Sequence, residues 1–429
     1  MSDGKSLAET VGRAFDTIIQ KEYNHIIAPE PIVTPTGIVH LDALLGGGII
    51  SSGPVLFSST PETGKSTFAY QFSSMFQKIY DNSIVVYIDV ESSGSTGTND
   101  YRISRIDAFG LNNDRFQYKK LVTDVLTIFE LFEKVIQLKS GVEKKTGQEL
   151  NVLIVWDSIA ATPSSKVADA ENPDKVIGTK ARQLTFCLEK YSPLFKFNKI
   201  TFVGIDQVRA DLRIEGPFAP RKEISVGRFK NRDVKSASNT FSLQHLVQQW
   251  IFLSKGSAIT SADGYGVDGW FVELYTEKNK LAPSQFSINC VFDKTYGIDK
   301  FWSEFYFLYE KTPSEKKIYK DKTNMPYPLM IKSSGNQFYL EVIHPEDPSV
   351  KYTSPKFFRK NAKKKYLEDQ DFHGWFDYAV GISAQYRIVN GLFKNKSIEV
   401  SDNIDLDGSM EDELIKSISE NDFSEQVGD

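Results

Sequence analysis

The sequence contains little cysteine or histidine and no long apolar run. Two cysteines and five histidines occur among 429 residues, which excludes a disulfide framework, and the histidines lack metal-ligand spacing, so no zinc site is expected. Cys187 and Cys290 lie in apolar segments and are predicted to be small core residues in a reducing compartment. The chain lacks a stretch of about 18 apolar residues that could span a membrane. Residues 1–5 are polar and lack a signal core, so we expect a cytoplasmic protein.

Acidic and basic residues are similar in number, 56 and 51, but they are unevenly distributed. Ten acidic residues and one lysine lie between Asp402 and Asp429. Seven Lys/Arg and no acid lie between Lys351 and Lys365. A like-charged terminal segment is typical of solvated disorder, and residues 399–429 are therefore predicted to be a disordered acidic tail. Such a tail either keeps the chain soluble or competes with a polyanion for a basic surface of the same chain.

Short apolar runs alternate with amphipathic segments in the first half of the chain. Continuous apolar strands that alternate with helices indicate a parallel sheet covered on both faces. After residue 245, alternating segments predict the strands of an antiparallel or mixed extension, so the predicted fold class is α/β. The predicted strands are 55–57, 84–88, 152–156, 200–205, 246–253, 270–275 and 286–292, and the predicted helices are 65–79, 101–109, 122–139 and 176–193.

Further segments flank this core. Residues 6–22 carry a helical apolar stripe, which needs a partner surface on its own core or on a neighbouring subunit. Three prolines in residues 28–36 predict an extended linker. Residues 299–398 are aromatic-rich and then basic, and they are predicted to form a smaller α+β domain. The predicted division is 1–35 for the N-terminal helix and linker, 36–298 for the core, 299–398 for the C-terminal domain and 399–429 for the tail.

A segment between the first predicted strand and helix has the pattern of a phosphate-binding loop. Its residues are Ser59, Thr60, Pro61, Glu62, Thr63, Gly64, Lys65, Ser66 and Thr67. Loop N–H groups and the positive end of a helix suit a phosphate. Lys65 would reach the β- and γ-phosphates of ATP, and the Ser66 hydroxyl would bind Mg²⁺. The usual pattern begins with glycine, where this chain has Ser59, and the alternative is an ordinary turn with an exposed lysine.

Polar residues follow three other predicted strands at the same edge of the sheet. Glu91 would polarise a water that attacks the γ-phosphate, although acids at strand ends also cap turns. Asp157 stands in the Walker B arrangement, which holds Mg²⁺ or its waters. Gln207 would contact the γ-phosphate and report its loss to the segment that follows. ATP and Mg²⁺ are therefore the predicted cofactors.

Two long polar segments leave this edge and are candidates for binding DNA. Residues 161–176 are small and polar, and residues 210–238 contain seven Lys/Arg and two Phe without a clear apolar period. Loops of this length inside a domain are usually functional or mobile, and basic residues with aromatics suit a nucleic-acid backbone and its bases. A solvated loop is the alternative. The residues predicted to contact DNA are Lys166, Arg209, Arg213, Arg221, Lys222, Arg228 and Lys230.

A pair of lysines, Lys278 and Lys280, closes the predicted strand 270–275. Two residues spaced by two on an extended chain point the same way, so this pair would reach a phosphate of its own subunit or of a neighbour. From these residues alone, a charged hairpin end is the favoured interpretation of Lys278 and Lys280, and the phosphate contact is the alternative.

In this order the motifs resemble those of the RecA family of recombinases, including its phage UvsX-type branch. The resemblance covers about residues 36–300 and implies a RecA-like P-loop ATPase core. The segments that carry it are 36–48, 61–66, 88–91, 156–158, 206–209, 278–283 and 292–299.

The resemblance implies a DNA-dependent ATPase that forms a helical filament on single-stranded DNA. Such proteins catalyse homologous pairing and strand exchange with double-stranded DNA. ATP would lie between subunits, with Lys278 and Lys280 reaching the neighbour's γ-phosphate and the helix 6–22 docking on the next subunit. A single-stranded-DNA-binding protein and a loading mediator are implied partners, the tail would be modulatory, and a phage-encoded protein would act in the host cytoplasm.

Departures from the family pattern leave alternatives open. Ser59 replaces the first loop glycine, Asp206 stands where bacterial members have Asn, and Tyr101 is only the nearest candidate for the adenine-stacking tyrosine. A recombination mediator or assembly factor with little ATPase fits an altered loop, whereas the intact Lys65 and Glu91 favour an active enzyme. A hexameric helicase-type motor has the same core.

Overall fold

The computed structural model describes most of the chain between residues 28 and 390 and a few residues outside this range. The chain divides into two compact units. One unit is Pro31–Lys394, and the other combines Met1–Glu30 with Asn395–Asp429. No helix in the described parts of the chain has both the length and the apolar character needed to cross a bilayer. The described residues are 5–6, 13, 17, 28–91, 107–165, 179–210, 234–236, 245–260, 267–293, 296–320, 325–390 and 405–406.

The secondary structure within these residues is as follows. The strands are β1 (Lys5–Ser6), β2 (Val33–Thr34), β3 (Ile49–Ile50), β4 (Pro54–Ser59), β5 (Ser83–Asp89), β6 (Phe116–Lys120), β7 (Asn151–Asp157), β8 (Thr201–Ala210), β9 (Val234–Ser236), β10 (Gln249–Thr260), β11 (Val267–Asn279), β12 (Ser287–Asp293), β13 (Gly297–Ile298), β14 (Ile331–Ser334), β15 (Gln337–Ile343), β16 (Lys351–Thr353), β17 (Phe357–Phe358) and β18 (Asp405–Leu406). The α-helices are α1 (Val39–Leu45), α2 (Lys65–Ile79), α3 (Val125–Thr146), α4 (Thr179–Phe197), α5 (Lys300–Tyr309), α6 (Pro313–Ile318), α7 (Ala362–Glu368) and α8 (Gln370–Ser383).

A ten-stranded mixed sheet forms the centre of the larger unit. Its order is β13-β12-β11-β10-β4-β8-β7-β5-β6, and β9 pairs with β8. Neighbours from β10 to β6 are parallel, whereas β10 to β13 and the β8–β9 pair are antiparallel. The predicted α/β class, with a mostly parallel sheet and a mixed extension, is confirmed.

The sheet is buried on both faces, which explains its continuous apolar strands. Leu153 and Val155 of β7 pack in the layer that contains α2, while Ile154 and Trp156 pack in the layer that contains α3 and α4. Successive side chains of a strand point to opposite faces, so both faces of β7 need apolar residues. Both cysteines are buried and unpaired, as predicted for core residues.

The edge strand β6 was missed by the sequence analysis. Only Phe116 of its five residues is buried, because an edge strand packs on one neighbour and its other side faces solvent. The remaining residues therefore show no apolar run. Its hydrogen bonds go to β5 in parallel register, from Val85 with Phe116 to Asp89 with Lys120.

Two segments predicted as a linker and a loop contain strands. Within the predicted extended linker 28–36, β2 pairs with β3, and Thr34 and Thr36 are buried, so this extended segment packs against its own unit. The predicted loop 210–238 includes β9 (Val234–Ser236), which pairs antiparallel with Val208, Arg209 and Ala210 at the end of β8. The residues between these two strands lie outside the described residues.

Helix α3 begins and ends at local signals that the apolar pattern did not include. The Asp124 carboxylate accepts hydrogen bonds from the N–H groups of Leu126 at 2.8 Å and Thr127 at 3.2 Å, which caps the first turn. Gly147 ends the helix with a φ of 70°, a conformation that favours glycine. The helix therefore runs beyond the predicted 122–139.

The C-terminal part of the larger unit is α+β and is held by a buried ion pair. A four-stranded antiparallel sheet, β14 to β17, accompanies α5 to α8. Arg387 donates from Nε to Glu315 Oε1 at 2.9 Å and from Nη2 to Glu315 Oε2 at 2.7 Å. Both side chains are almost fully buried, so each needs the other's charge.

The second unit is described at few positions. Lys5–Ser6 pairs antiparallel with Asp405–Leu406, and Arg13 and Thr17 are helical. Ser6, predicted to start the helix 6–22, lies in β1 instead. The rest of that helix and of the acidic tail lies outside the described residues.

Candidate nucleotide-binding site

The loop between β4 and α2 combines two left-handed backbone positions. Glu62 has a φ of 58° and Gly64 a φ of 102°. A Cβ at Gly64 would lie 2.2 Å from Cζ of Phe292, so glycine is required there for both conformation and space. Ser59 is the last residue of β4 and is absent from the positive-φ residues. The first position of the loop therefore accepts a side chain without backbone strain.

Lys65 is buried in this loop. It is the first residue of α2, and its side chain folds back so that Nζ donates to Ser59 Oγ at 2.8 Å and to Thr60 O at 3.0 Å. Burial lowers the pKa of this ammonium, while the nearby carboxylates of Asp157, Glu91 and Asp206 raise it. Lys65 is therefore buried, in contrast to the exposed lysine of the alternative.

The predicted metal ligands are Asp157, at the end of β7, and Ser66, in the first turn of α2. Their side chains are close enough to form a hydrogen bond. Burial raises the pKa of the Asp157 carboxyl to about 6, and hydrogen bonds from Ser66 and Tyr87 oppose this shift. Asp157 Oδ1 is buried without a hydrogen-bond partner among the described residues. A carboxylate oxygen that lacks a donor, beside a serine hydroxyl, is a donor set that suits Mg²⁺. The residues present therefore fit the predicted cation.

A stack of tyrosines supports this carboxylate, and sequence reasoning missed it. The Tyr87 hydroxyl donates to Asp157 Oδ2 at 2.7 Å, and its ring stacks on Tyr70 and Tyr118 at centroid distances of 4.5 and 5.9 Å. The Tyr118 hydroxyl donates in turn to Asp89. Partners of this kind fix the orientation of a metal-binding carboxylate. The available signal was a hydroxyl within the apolar strand β5, on the face that packs against α2.

Glu91 and Gln207, predicted from separate strands, are in direct contact. The side-chain amide of Gln207 donates to Glu91 Oε1, and Ser158 Oγ donates to the same oxygen at 2.6 Å. Ser158, which directly follows Asp157, was not assigned a role from the sequence. Gln207 also pairs in register with Ser59, at the start of the loop. This hydrogen-bond network links Glu91, the candidate catalytic base, with β8, which pairs in register with β4 at the start of the loop.

The remaining predicted residues are not joined to this cluster by described contacts. Lys278 Nζ donates to the His245 carbonyl at 2.7 Å, and burial followed by the charge of Lys280 lowers the pKa of Lys278. Arg209 lies in β8, but its side chain is outside the described residues. Lys166, Arg213, Arg221, Lys222, Arg228, Lys230 and the candidate base-stacking Tyr101 also lie outside them.

Comparison with known proteins places the site in an ATPase domain. The protein-family model described as "ATPase: KaiC" matches residues 34–160, which include the loop, Glu91 and Asp157. This match confirms a RecA-like α/β ATPase core within a larger chain. The assignment of the individual site residues stays a prediction.

Similar proteins include bacterial and mitochondrial relatives at low identity. Protein RecA of Syntrophus aciditrophicus (strain SB) is 26% identical over 252 residues, covering 58% of this chain and 63% of the relative. DNA repair protein RadA of Aquifex aeolicus (strain VF5) is 30% identical over 171 residues, 39% of this chain and 33% of the relative. Mitochondrial DNA repair protein recA homolog of Dictyostelium discoideum is 25% identical over 256 residues, 58% of this chain and 48% of the relative. The chain therefore spans between a third and just under two thirds of these relatives.

Proposed function

We propose that this protein is an ATP-dependent DNA recombinase that forms a helical filament on single-stranded DNA and catalyses homologous pairing and strand exchange. The observation that carries the proposal is the contact between Glu91 and Gln207. Gln207 lies in β8, the strand that leads into the basic segment 210–238. Two of the similar proteins are named as DNA repair proteins, which supports a role in recombination and repair.

The nucleotide chemistry follows from the side chains at the loop. Lys65 exchanges its contacts with Ser59 and Thr60 for oxygens of the β- and γ-phosphates. Ser66 and Asp157 would hold Mg²⁺, which would neutralise charge on the phosphates. Glu91 orients the attacking water and accepts its proton.

Communication with DNA follows from the bond that Gln207 makes. Its amide N–H groups are shared between Glu91 and an incoming γ-phosphate, so binding of ATP draws Gln207 toward the phosphate. Release of the phosphate returns Gln207 to Glu91. The end of β8 moves with Gln207, and this movement changes the affinity of the basic segment 210–238 for DNA. Basic loops of this kind bind the phosphate backbone in a salt-dependent way.

Assembly completes the proposal. In a filament of the phage UvsX type, Lys278 and Lys280 reach the γ-phosphate of the next subunit, and the N-terminal segment docks on a neighbour. The acidic tail modulates DNA binding, a single-stranded-DNA-binding protein and a loading mediator act as partners, and the protein acts in the cytoplasm.

A recombination mediator with little ATPase activity is the second candidate. The observation that favours it is the replacement of the first loop glycine by Ser59, whose hydroxyl contacts Lys65. The assembled cluster of Lys65, Asp157 and Glu91 favours an active enzyme instead, because a mediator without turnover has no need for a water-orienting acid.

The rate of ATP hydrolysis with and without single-stranded DNA tests the proposal. We expect DNA to raise the rate, because a ligand that binds one conformation better shifts the population toward it, and here that conformation is the one with Gln207 and Glu91 placed for turnover. Negative-stain imaging of the same samples should show filaments on DNA. Rings with DNA-dependent turnover would identify the helicase-type motor, and DNA binding without turnover would identify the mediator. Either outcome contradicts the proposed recombinase.

A further inference from the structure

Ser59 supplies a hydrogen-bond acceptor that glycine at this position cannot supply. Its hydroxyl donates to Thr60 O at 2.7 Å and accepts from the Lys65 ammonium at 2.8 Å. One donated and one accepted bond satisfy a serine hydroxyl. Ser59 is fully buried and Lys65 is 7% exposed, so water does not compete for this bond.

The lysine uses all three of its N–H groups inside the loop. Besides Ser59 Oγ, Lys65 Nζ donates to Thr60 O at 3.0 Å and, more weakly, to Ser59 O at 3.4 Å. A β- or γ-phosphate oxygen must therefore displace acceptors that are already in place. With glycine at position 59 only the two carbonyl oxygens would remain.

We propose that Ser59 is a positioning residue that holds the Lys65 ammonium within the loop and competes with the β-phosphate of a nucleotide for it. The inference rests on the proposed nucleotide site and deepens it. Ser59 weakens binding of every nucleotide that needs Lys65, and it sets the concentration of ATP at which the protein becomes active. AMP lacks a β-phosphate for Lys65 to reach, so its affinity does not depend on this competition.

Removal of the hydroxyl is expected to tighten binding of ATP and ADP. In Ser59→Ala and Ser59→Gly, the Lys65 ammonium has one hydrogen-bond acceptor fewer in the protein without nucleotide. An oxygen of a bound phosphate then supplies the missing acceptor. A hydrogen bond to a charged group is worth enough to change affinity by about tenfold. Both variants suit the extended backbone at the end of β4, and glycine gives a second variant if alanine packs poorly.

The experiment measures competition of ATP, ADP and AMP against a fluorescent ATP analogue, together with thermal unfolding without nucleotide. We expect ATP and ADP to bind both variants about tenfold more tightly, AMP to bind as before, and the unfolding midpoint to fall. Ser73→Ala is the matched control, because this buried serine of α2 donates only to Ala69 O at 2.7 Å within its own helix. All three affinities should stay unchanged in the control.

Three outcomes contradict the inference. Unchanged or weaker binding of ATP and ADP by both Ser59 variants, with normal wild-type affinity, means that the hydroxyl does not compete with phosphate. Equal tightening for AMP means that the substitution loosens the loop in general. Failure of the wild-type protein to bind ATP overturns the proposed function, and this inference falls with it.

Discussion

Replacing Lys65 with alanine is expected to weaken ATP binding by at least about a hundredfold, because two charge-assisted hydrogen bonds to phosphate are lost and each contributes about 1.5–3 kcal/mol. The loss of the cation adds to this effect. Asp157, Glu91 and Asp206 interact electrostatically with Lys65, and without the ammonium these acidic groups would repel a triphosphate. Isothermal titration calorimetry with ATP and Mg²⁺ measures the change.

The control for Lys65→Ala is Lys190→Ala. Lys190 lies on α4, where it pairs at 3.3 Å with Glu133, and both side chains are about half exposed. An exposed pair of this kind contributes little to stability, so ATP affinity should be unchanged. Retention of wild-type affinity by Lys65→Ala would mean that the loop does not bind the triphosphate.

Glu91→Gln is expected to lower DNA-stimulated ATP turnover by about 10²–10⁴-fold, the usual contribution of a positioned acid or base. The amide oxygen of glutamine replaces the carboxylate oxygen that accepts from Ser158 and Gln207, so the local geometry should be retained. ATP affinity should therefore change little while the rate falls. The rate of steady-state ATP hydrolysis and the equilibrium affinity for ATP are both measured on the same variant.

Glu133→Gln is the control for Glu91→Gln, since Glu133 lies on the surface of α3 and contacts Tyr191 and Lys190. Turnover that survives in Glu91→Gln would remove Glu91 from its catalytic role. Mixing Glu91→Gln protein with Lys278→Ala protein extends the experiment to the assembly. Some sites in the mixture combine an intact Glu91 with an intact Lys278, so activity should return in part if the site spans two subunits. No recovery at any ratio would show a self-contained site.

The sequence predicted the central sheet well, because a strand that is buried on both faces is apolar at successive positions, and this pattern is visible within a short stretch of sequence. Strands β5 and β7 read as continuous apolar runs, and the polar residue that follows each of them marks the edge of the sheet where sites occur. Glu91, Asp157 and Gln207 were predicted as site residues in this way. The loop itself was predicted from the spacing of Gly64, Lys65 and Ser66 together with its place between a predicted strand and a predicted helix.

The contacts between these residues could not be predicted from the sequence. Ser158 and Glu91 are 67 positions apart, and Tyr87 and Asp157 are 70 apart. Such pairs meet only because β5 lies beside β7 in the sheet, and the order of strands is set by long-range packing. Tyr87 was counted among apolar residues because its ring behaves as one, while its hydroxyl does the orienting.

Edges and buried charges were missed for related reasons. Strand β6 lies at the rim of the sheet, so only one of its side chains is buried and its apolar pattern is weak. Arg387 and Glu315, 72 positions apart, look like ordinary surface residues in the sequence. Their burial depends on two segments that meet only in the folded protein.

The affinity of the protein for a single-stranded oligonucleotide, measured with and without a non-hydrolysable ATP analogue, tests most directly whether the loop around Lys65 communicates with the DNA-binding segment. We expect the analogue to tighten DNA binding by about 5–150-fold in the wild-type protein, the usual range of coupling between sites. Gln207→Ala should bind the analogue but lose this effect. A wild-type protein that binds the oligonucleotide equally well with and without the analogue would contradict the account.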